Sequence, residues 1–304
     1  MFERLLVPLD GSRLAEAVLP AAVAFAERFA ATLLLFHVVE ESPPSAVHGE
    51  HHLMTAEEAQ AYLRDVVARL ARPDVHIETD IHAARQVDVA RSITEHAEEL
   101  HADLVMLCAH GRGGLRDVLV GSIAQQVIQR GTTPVFLVPA TMTDGSPFAC
   151  RHILVPLDGT AVHEPALPVA VEIARAFSAA LHLLTVVATA GTLSPERAAT
   201  GVLLPSTMAA ILDLAQRNAV DYLQKTTQKL LADGLKASAE VRRGDVAAGI
   251  LAEIEHFQAD MLILATHGRS SLAEFWSGGV TPKILSHSPV PVLLVRVTGE
   301  ESPR

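Results

Sequence analysis

The segment of this chain with the clearest chemical potential is rich in glycine and ends in a hydroxyl. Residues 110–122 read HGRGGLRDVLVGS, and a run with helical spacing begins at Gly121 and Ser122. Glycines permit a tight turn and a close approach of backbone to ligand, while a helix N-terminus offers unpaired amides at the positive end of its dipole. With Ser122 as a hydroxyl donor and Arg112 as a charge, the segment predicts a phosphate site. A plain glycine turn, capped by Ser122, is the alternative.

The spacing of this segment excludes two common phosphate-binding motifs. No Gly-Lys-Ser/Thr follows at the distance that a Walker loop requires. The segment also follows the fourth predicted strand, whereas the dinucleotide-binding fingerprint follows the first strand of its fold. The predicted phosphate site must therefore be of another kind.

The chain carries the blocks around this segment twice. Three blocks recur in the same order: LLVPLDGS at 5–12 and ILVPLDGT at 153–160, HGRGGLRDVLVGS at 110–122 and HGRSSLAEFWSGG at 267–279, and TPVFLVP at 133–139 and VPVLLVR at 290–296. Matched blocks in a fixed order indicate a duplicated domain. We therefore predict domains over 1–140 and 151–304, joined by a polar linker over 141–150.

Hydrophobic periodicity predicts how each half is built. Apolar runs predict strands near 4–9, 32–39, 75–82, 103–109 and 134–138, and again near 152–157, 181–187, 236–242, 260–266 and 291–296. Helical spacing predicts helices between them, near 14–29, 55–71, 88–100 and 120–130 in the first half. This alternation predicts an α/β fold with two tandem doubly wound five-stranded parallel sheets flanked by helices. In the strand order 3-2-1-4-5, the loops after strands one and four share one crevice.

The two halves differ most over residues 188–218, where the second half is longer. Glycines and prolines in this insertion predict a loop. The first half has its own predicted loop over 40–54, which holds His48, His51 and His52 beside Glu50. Clustered imidazoles with a carboxylate can bind zinc, but solvated loop residues are the preferred interpretation, so no metal site is predicted.

Taken together, the repeated blocks resemble the universal stress protein family in its tandem two-domain form, and the resemblance covers almost the whole chain. It implies a Rossmann-like fold that binds an adenine nucleotide, ATP or ADP with Mg²⁺. Nucleotide-binding members carry an Asp after the first strand and Gly-x2-Gly-x9-Gly-Ser/Thr after the fourth. Asp10 matches the acid that holds the adenosine end, and Val38 matches a position that lines the adenine pocket. Gly111, Gly121 and Ser122 match the part of the motif that binds the phosphates.

The resemblance implies a contact region in each copy. In the first copy this region comprises Asp10, Val38, Ala109, His110, Gly111, Arg112, Gly114, Gly121, Ser122 and Ile123. In the second copy it comprises Asp158, Val186, Thr266, His267, Gly268, Gly278, Gly279 and Val280.

Departures from the family motif favour the first copy as the nucleotide site. Cys108 and Ala265 replace the first glycine of the motif, so a side chain crowds the ligand in both copies. Gly279 stands where the first copy has Ser122, so a hydroxyl–phosphate bond worth about 1.5–3 kcal/mol is missing. Trp276 either fills the second crevice or packs on the sheet. We expect the first copy to bind nucleotide better than the second.

Other reactive side chains have structural interpretations. His96 and His101 lie five residues apart and are expected at the surface, whereas Cys108, at a strand end, is expected to be buried and inert. His110 and His267 are interpreted as loop-shaping residues, because no nucleophile motif such as Gly-x-Ser-x-Gly accompanies them. No catalytic residue is predicted, and slow ATP hydrolysis is the most that we expect.

Composition narrows the class of protein. The net charge of −11 argues against a nucleic-acid or anionic-membrane partner. The sequence has no apolar run of transmembrane length and no secretory signal, and Cys108 and Cys150 make no disulfide framework, so a cytoplasmic protein is expected. The family resemblance implies that the last strand of each half pairs domains, here as a pseudo-dimer within the chain. A bare strand edge would also favour a homodimer.

The family resemblance therefore implies a stress-response protein that binds ATP or ADP and acts as a sensor or regulator. One alternative is a nucleotide-free interaction scaffold, with crevices occluded by Cys108 and Trp276. A nucleotide-dependent transferase or ligase ranks last, because neither a Ser-Gly-Gly nor a His-x-Gly-His motif is present.

Overall fold

The computed structural model describes residues 1–40, 46–47, 50–83, 88–109, 120–142, 147–160, 164–193, 195–267 and 279–297. Contacts divide the described residues into two compact units. The first unit holds those up to Ala149 together with 291–296, and the second holds most of those from Cys150 onward. Within the described parts of the chain, no helix is both long enough and apolar enough to cross a lipid bilayer.

The first unit is a parallel sheet covered by helices. Its elements are β1 (Arg4–Pro8), α1 (Arg13–Glu16), α2 (Leu19–Phe29), β2 (Thr32–Val39), β3 (Ala46–Val47), β4 (Glu50–His51), α3 (Ala56–Leu70), β5 (His76–Ala83), α4 (Val89–Glu99), β6 (Leu104–Ala109), α5 (Ser122–Arg130) and β7 (Val135–Pro139). Parallel pairs join β5 to β2, β2 to β1, β1 to β6 and β6 to β7. This is the predicted order 3-2-1-4-5. The short strands β3 and β4 form an antiparallel hairpin within the predicted loop over 40–54.

The first predicted helix is divided in two. Ser12 caps α1, since its Oγ accepts a hydrogen bond of 3.1 Å from the amide of Ala15. Pro20 has no amide hydrogen, and its ring would clash with the carbonyl of Glu16 in a continuous helix. The chain therefore begins a new helix, α2, at Leu19, where Pro20 occupies the first turn without cost.

The few aromatic residues of the chain concentrate in the core of the first unit. Phe25 on α2 lies 5.2 Å from Phe136 on β7, measured between ring centroids, and Phe2 lies 5.1 Å from Phe29. Phe25 and Phe136 have no exposed surface. Burial of these rings fixes α2 against the face of the sheet, which sets where the turn after β1 lies.

The second unit repeats the architecture. Its elements are β8 (His152–Pro156), α6 (Ala166–Phe177), β9 (Ala180–Val187), a 3₁₀ turn (Ala190–Thr192), α7 (Pro195–Leu203), α8 (Pro205–Ala232), β10 (Lys236–Arg243), α9 (Val246–Phe257), β11 (Met261–His267) and α10 (Val280–His287). Parallel pairs join β10 to β9, β9 to β8 and β8 to β11, which gives the order 3-2-1-4. The last strand of the chain is β12 (Val292–Val297). Its residues 292–296 belong to the first unit, and Val297 belongs to the second.

The insertion over 188–218 is helical, so the prediction of a loop there is wrong. It supplies α7 and the first half of α8, a helix of 28 residues. Pro195 and Pro205 stand at the first positions of these helices, where the missing amide hydrogen has no intrahelical partner in any case. The same prolines that suggested a loop are therefore helix starts.

Candidate functional site

The chain turns sharply where β1 ends, at Asp10 and Gly11. Oδ1 of Asp10 accepts hydrogen bonds from the amide of Ser12 at 2.9 Å and from its hydroxyl at 2.6 Å. Gly11 has φ of +89°, a conformation that favours glycine. A Cβ on Gly11 would lie only 2.9 Å from Cγ of Leu53, so this side chain packs directly on the turn.

The second unit builds the same turn after β8. Oδ1 of Asp158 accepts hydrogen bonds from the amide of Thr160 at 2.9 Å and from its hydroxyl at 2.7 Å, and Gly159 has φ of +76°. The surroundings differ, because a Cβ on Gly159 would lie 3.7 Å from the ring of Tyr222. The two repeats therefore share a turn, but the side chain nearest to its glycine is Leu53 in the first repeat and Tyr222 in the second.

Two buried histidines lie near the turn in the first unit. His37 on β2 is 2% exposed, and its Nδ1 lies 2.7 Å from the carbonyl oxygen of Leu9. The pKa of His37 is lowered, chiefly because the ring is buried and also because His52 lies nearby. The hydrogen bond to the Leu9 carbonyl and the charge of Asp10 act in the opposite direction. The ring is therefore neutral near pH 7, so Nδ1–H donates to Leu9 and holds the end of β2 beside the turn.

The predicted interpretation of His52 as a solvated loop residue is wrong. His52 is 3% exposed, with Nδ1 3.1 Å from the carbonyl oxygen of Leu53 and Nε2 3.5 Å from a carboxylate oxygen of Glu40. The histidine is buried because the segment around it packs on the turn after β1. His48 lies outside the described residues.

Buried apolar positions border the turn on β2 and β6. Val38 and Ala109 are 7% and 5% exposed, and each lies near the carboxyl end of its strand. Burial raises the pKa of Cys108 to about 12, with a further contribution from the charge of Asp10. Cys108 is 6% exposed, which confirms the prediction that it is buried, and the raised pKa is consistent with an unreactive thiol.

Helix α5 begins at Ser122, as predicted, with Gly121 as its N-cap. No side chain caps this end, since Gly121 has none to offer. The amide of Gln125 donates to the carbonyl of Gly121 at 2.9 Å, and its side-chain amide donates to Val120 at 2.7 Å. Ile123 is 41% exposed, so the first turn of α5 is accessible. The predicted contacts His110, Gly111, Arg112 and Gly114 lie outside the described residues.

A cavity of about 860 Å³ lies at the carboxyl ends of the strands in the second unit. The cavity lies between β9 and helix α8. Its lining includes two of the predicted site residues, Asp158 and Val186, together with Thr185. Helix α8 contributes apolar side chains and an aromatic ring: Met208, Ile211, Leu212 and Ala215 within the insertion, and Ala219 and Tyr222 just after it. Part of the lining of this cavity is therefore supplied by the insertion, which the first repeat lacks.

The remaining predicted residues of the second copy lie at nearby element ends. Thr266 is buried near the end of β11, at 3% exposure, and His267 is the last residue of that strand. Gly279 is the N-cap of α10 and offers no side chain, while Val280 is 39% exposed. Gly268, Gly278 and Trp276 lie outside the described residues.

Sequence reasoning missed the residues of α8 that line this cavity, although their spacing carried a signal. Met208, Leu212, Ala215, Ala219 and Tyr222 are separated alternately by four and three residues, which is the period of one helix face. The weight given to glycine and proline in the insertion concealed this pattern.

His96 also differs from its prediction as a surface residue. Its side chain is 13% exposed, and its ring lies 4.6 Å from Phe36 and 4.5 Å from His82, measured between centroids. Nδ1 lies 2.9 Å from the carbonyl oxygen of Ser92. His101 is exposed, as predicted.

Two repeats of a doubly wound α/β sheet, each with an Asp-Gly turn at the carboxyl end of its first strand, define a protein with two tandem domains of one fold. The model of the universal stress protein family matches residues 1–139 and again 149–296. The chain therefore belongs to the universal stress protein family, with two tandem copies of the family domain.

Comparisons with individual proteins agree with this assignment. The chain is 30% identical over 150 residues to the universal stress protein YxiE of Bacillus subtilis. This alignment covers 45% of this chain and 99% of YxiE. The chain is 29% identical over 143 residues to the universal stress protein MJ0531 of Methanocaldococcus jannaschii, covering 45% of this chain and 82% of that protein. A crystal structure of a universal stress protein from Archaeoglobus fulgidus covers 97% of this chain and 96% of its own, with a TM-score of 0.69 at 17% identity. This last likeness shows the fold alone.

Proposed function

We propose that the first repeat binds an adenine nucleotide, ATP or ADP with Mg²⁺, and that the protein acts as a sensor or regulator in a stress response. The observation that carries this proposal is the turn at Asp10 and Gly11, which stands at the carboxyl end of the central strand β1 beside Val38 and Ala109. Ligands of doubly wound sheets bind at this edge, where the strand order reverses. Membership of the universal stress protein family supports the same proposal.

Each part of the proposed site has a distinct task. The carboxylate of Asp10 accepts hydrogen bonds from the ribose hydroxyls, and the apolar surfaces of Val38 and Ala109 contact the base. The amides at the start of α5, with the hydroxyl of Ser122, donate to the phosphates, because this helix end has no side-chain cap. We retain His110, Gly111, Arg112, Gly114 and Ile123 as further contacts of the first site.

The second repeat is proposed as a weaker site. Its cavity at Asp158 and Val186 has room for a nucleoside, but α10 begins at Gly279 without a hydroxyl for the phosphates. Loss of one charge-assisted hydrogen bond weakens binding by about 1.5–3 kcal/mol. Thr266, His267, Gly268, Gly278 and Val280 complete the proposed contact set of this copy.

The test compares matched substitutions at the two helix starts. ATP with Mg²⁺ is titrated calorimetrically into nucleotide-stripped wild-type protein, Gly121→Val and Gly279→Val. A branched side chain at Gly121 blocks approach to the amides of α5, so Gly121→Val should abolish the tighter binding event while Gly279→Val preserves it. If the Gly121→Val protein folds and binds ATP with unchanged affinity, the proposal is wrong.

We propose that nucleotide binding changes the conformation of the protein and that the protein does not act mainly by catalysing a reaction. A nucleotide orders the loops of the crevice and shifts the protein toward the conformation that it binds better. Slow ATP hydrolysis is the most that we expect, since the motif supplies no dedicated general base. We further propose that the two domains span residues 1–140 and 151–304. We also propose that the protein is located in the cytoplasm. Free thiols at Cys108 and Cys150 suit a reducing compartment.

The helical insertion favours a second function, as a scaffold for self-association. Five large apolar side chains are 53–82% exposed along α7 and the start of α8: Val202, Leu203, Leu204, Ile211 and Leu214. Exposed apolar patches of this kind mark protein interfaces. We propose a second copy of the chain as the partner, alongside a pseudo-dimer formed by the two halves. Light scattering after chromatography should show a homodimer that Leu203→Glu disrupts; a wild-type monomer would exclude it.

A further inference from the structure

A cluster of ionisable side chains in the second unit lies outside the cavity at Asp158. It consists of His182 on β9, Glu240 and Arg242 on β10, and Glu253 and His256 on α9. One ligand atom each from His182, Glu240 and Glu253 lie within 4.8 Å of one another. His182 is 6% exposed and Glu253 is 0% exposed, so the centre of the cluster is shielded from water.

Several atoms at the centre of this cluster are buried without a hydrogen bond of good geometry. They are Nε2 of His182, Nε of Arg242 and Oε2 of Glu253. Nε2 of His182 lies 3.2 Å from Oε1 of Glu253, and Arg242 makes a close ion pair with Oε2 of the same carboxylate. Nε of Arg242 and Oε2 of Glu253 therefore pair with each other, whereas Nε2 of His182 is the buried atom that lacks a well-aligned partner.

The surroundings of His182 hold its ring in one orientation. Nδ1 lies 2.8 Å from the hydroxyl oxygen of Ser238, and the ring of Phe257 stacks on the imidazole at 4.4 Å with an interplanar angle of 19°. Burial lowers the pKa of His182, although Glu253 and Glu240 oppose this. In the metal-free protein, Nε2–H of His182 faces the carboxylate of Glu253 and Nδ1 accepts from the hydroxyl of Ser238; a bound cation would take Nε2 and leave Nδ1–H to donate to Ser238. Metal-ligating histidines are fixed in the same manner.

The charges of the cluster are unbalanced. Glu240 and Glu253 contribute two carboxylates, and Arg242 is the one permanently charged cation among the five cluster residues. Arg242 is 26% exposed and lies on β10, at the edge of the order β10-β9-β8-β11, so its guanidinium can move into solvent. A divalent cation would then balance both carboxylates and take the lone pair of His182.

We propose that His182, Glu240 and Glu253 form a binding site for a divalent transition-metal ion such as Zn²⁺, which displaces the guanidinium of Arg242. One imidazole and two carboxylates are a donor set that suits Zn²⁺. His256, whose Nδ1 lies 3.1 Å from Oε1 of Glu253, stands at the exposed margin of the cluster and is not one of the three proposed ligands. The site is independent of the proposed nucleotide function.

The first repeat supplies an internal control. Leu34 pairs with Glu78 in the register where His182 pairs with Ser238, so the first unit lacks the imidazole at this position. We therefore expect one such site per chain, in the second repeat only.

The first experiment measures Zn²⁺ affinity by competition with a chromogenic chelator, using the full chain stripped of metal and nucleotide at neutral pH. One Zn²⁺ per chain is expected. His182→Gln and Glu240→Gln should each weaken binding at least about tenfold. His287→Gln is the matched control, because this exposed histidine bonds only to the backbone of its own helix in the described structure. Equal affinity in wild type and His182→Gln overturns the proposal.

A second variant keeps the proposal testable if the cluster is sensitive to substitution. Removal of Glu253 leaves the charge of Arg242 without its buried partner and can unfold the protein. Arg242→Gln instead removes the competing cation, so Zn²⁺ affinity should rise and Zn²⁺ should increase the melting temperature more than in wild type. X-ray absorption at the zinc edge should show nitrogen and oxygen ligands. Sulfur ligation, or an Arg242→Gln protein with unchanged or lower affinity, contradicts the assignment.

Discussion

Single residues at the turn after β1 determine how tightly the first crevice is packed. Gly11 and Gly159 occupy the same turn in the two repeats at positive φ, yet only Gly11 is pressed against another side chain, that of Leu53. The pair separates the effect of backbone conformation from that of packing.

Gly11→Ala should destabilise the protein more than Gly159→Ala. Both substitutions place an L-residue at positive φ, which costs about 1–2 kcal/mol. At Gly11 the new Cβ also lies 2.9 Å from Cγ of Leu53, and such overpacking costs about a further 1–3 kcal/mol. Urea unfolding followed by circular dichroism measures both. Leu53→Ala should restore part of the loss in the Gly11→Ala background; equal losses in the two glycine variants would argue against crowding by Leu53.

The buried thiols predict how stability changes at alkaline pH. Burial raises the pKa of Cys108, and separately of Cys150, to about 12 from an ordinary value of 9.0. The unfolded chain loses each thiol proton first, so the stabilisation is fully present below pH 9 and is lost as the pH rises from about 9 toward 12. The slope is about 1.4 kcal/mol per pH unit for each thiol. Unfolding free energies of wild type and Cys108→Ala, measured across this range, should diverge accordingly; parallel curves would contradict the assignment.

At the scale of the element, α8 is the main departure of the second repeat from the first. The helix buries Leu223 at 2% exposure and leaves Leu231 at 52%. One face of α8 therefore packs against β9 and β10, and residues of α8 also line the cavity at Asp158.

Leu223→Ala should cost about 2–5 kcal/mol of unfolding free energy, because it leaves a void under α8. Leu231→Ala, on the exposed face of the same helix, should change stability by no more than about 0.5 kcal/mol. Thermal unfolding of the two variants checks the difference. Similar losses at both positions would mean that α8 does not dock by the face described above.

At the scale of the whole molecule, duplication provides two copies of the Asp-Gly turn, and with them two proposed nucleotide sites. The stoichiometry of ATP with Mg²⁺ per chain reports which of them bind. We expect one tight site, because the second copy has Gly279 where the first has Ser122. Two sites of equal affinity would show that loss of the hydroxyl is tolerated, whereas no binding at millimolar ATP would favour the scaffold.

The sequence by itself determined the features that depend on neighbouring residues. The alternation of strands and helices, the duplication and the Asp-Gly turns could be predicted, since periodicity and short-range hydrogen bonds are encoded in spacing. The helical character of the insertion was also present in the spacing of Met208, Leu212 and Ala215, but the prolines at the helix starts obscured it. The positions of Asp10 and Val38 at strand ends could be predicted for the same local reasons, whereas their role in a nucleotide site stays a prediction.

Only the tertiary structure decided which distant side chains meet. Nothing in the sequence places Leu53 on Gly11 or Tyr222 beside Gly159. The cluster of His182 and Glu253 likewise joins a strand and a helix that lie about 70 residues apart along the chain. The physical reason is that such contacts follow from how helices pack on the sheet, and packing depends on the shape and burial of many side chains together rather than on any local pattern.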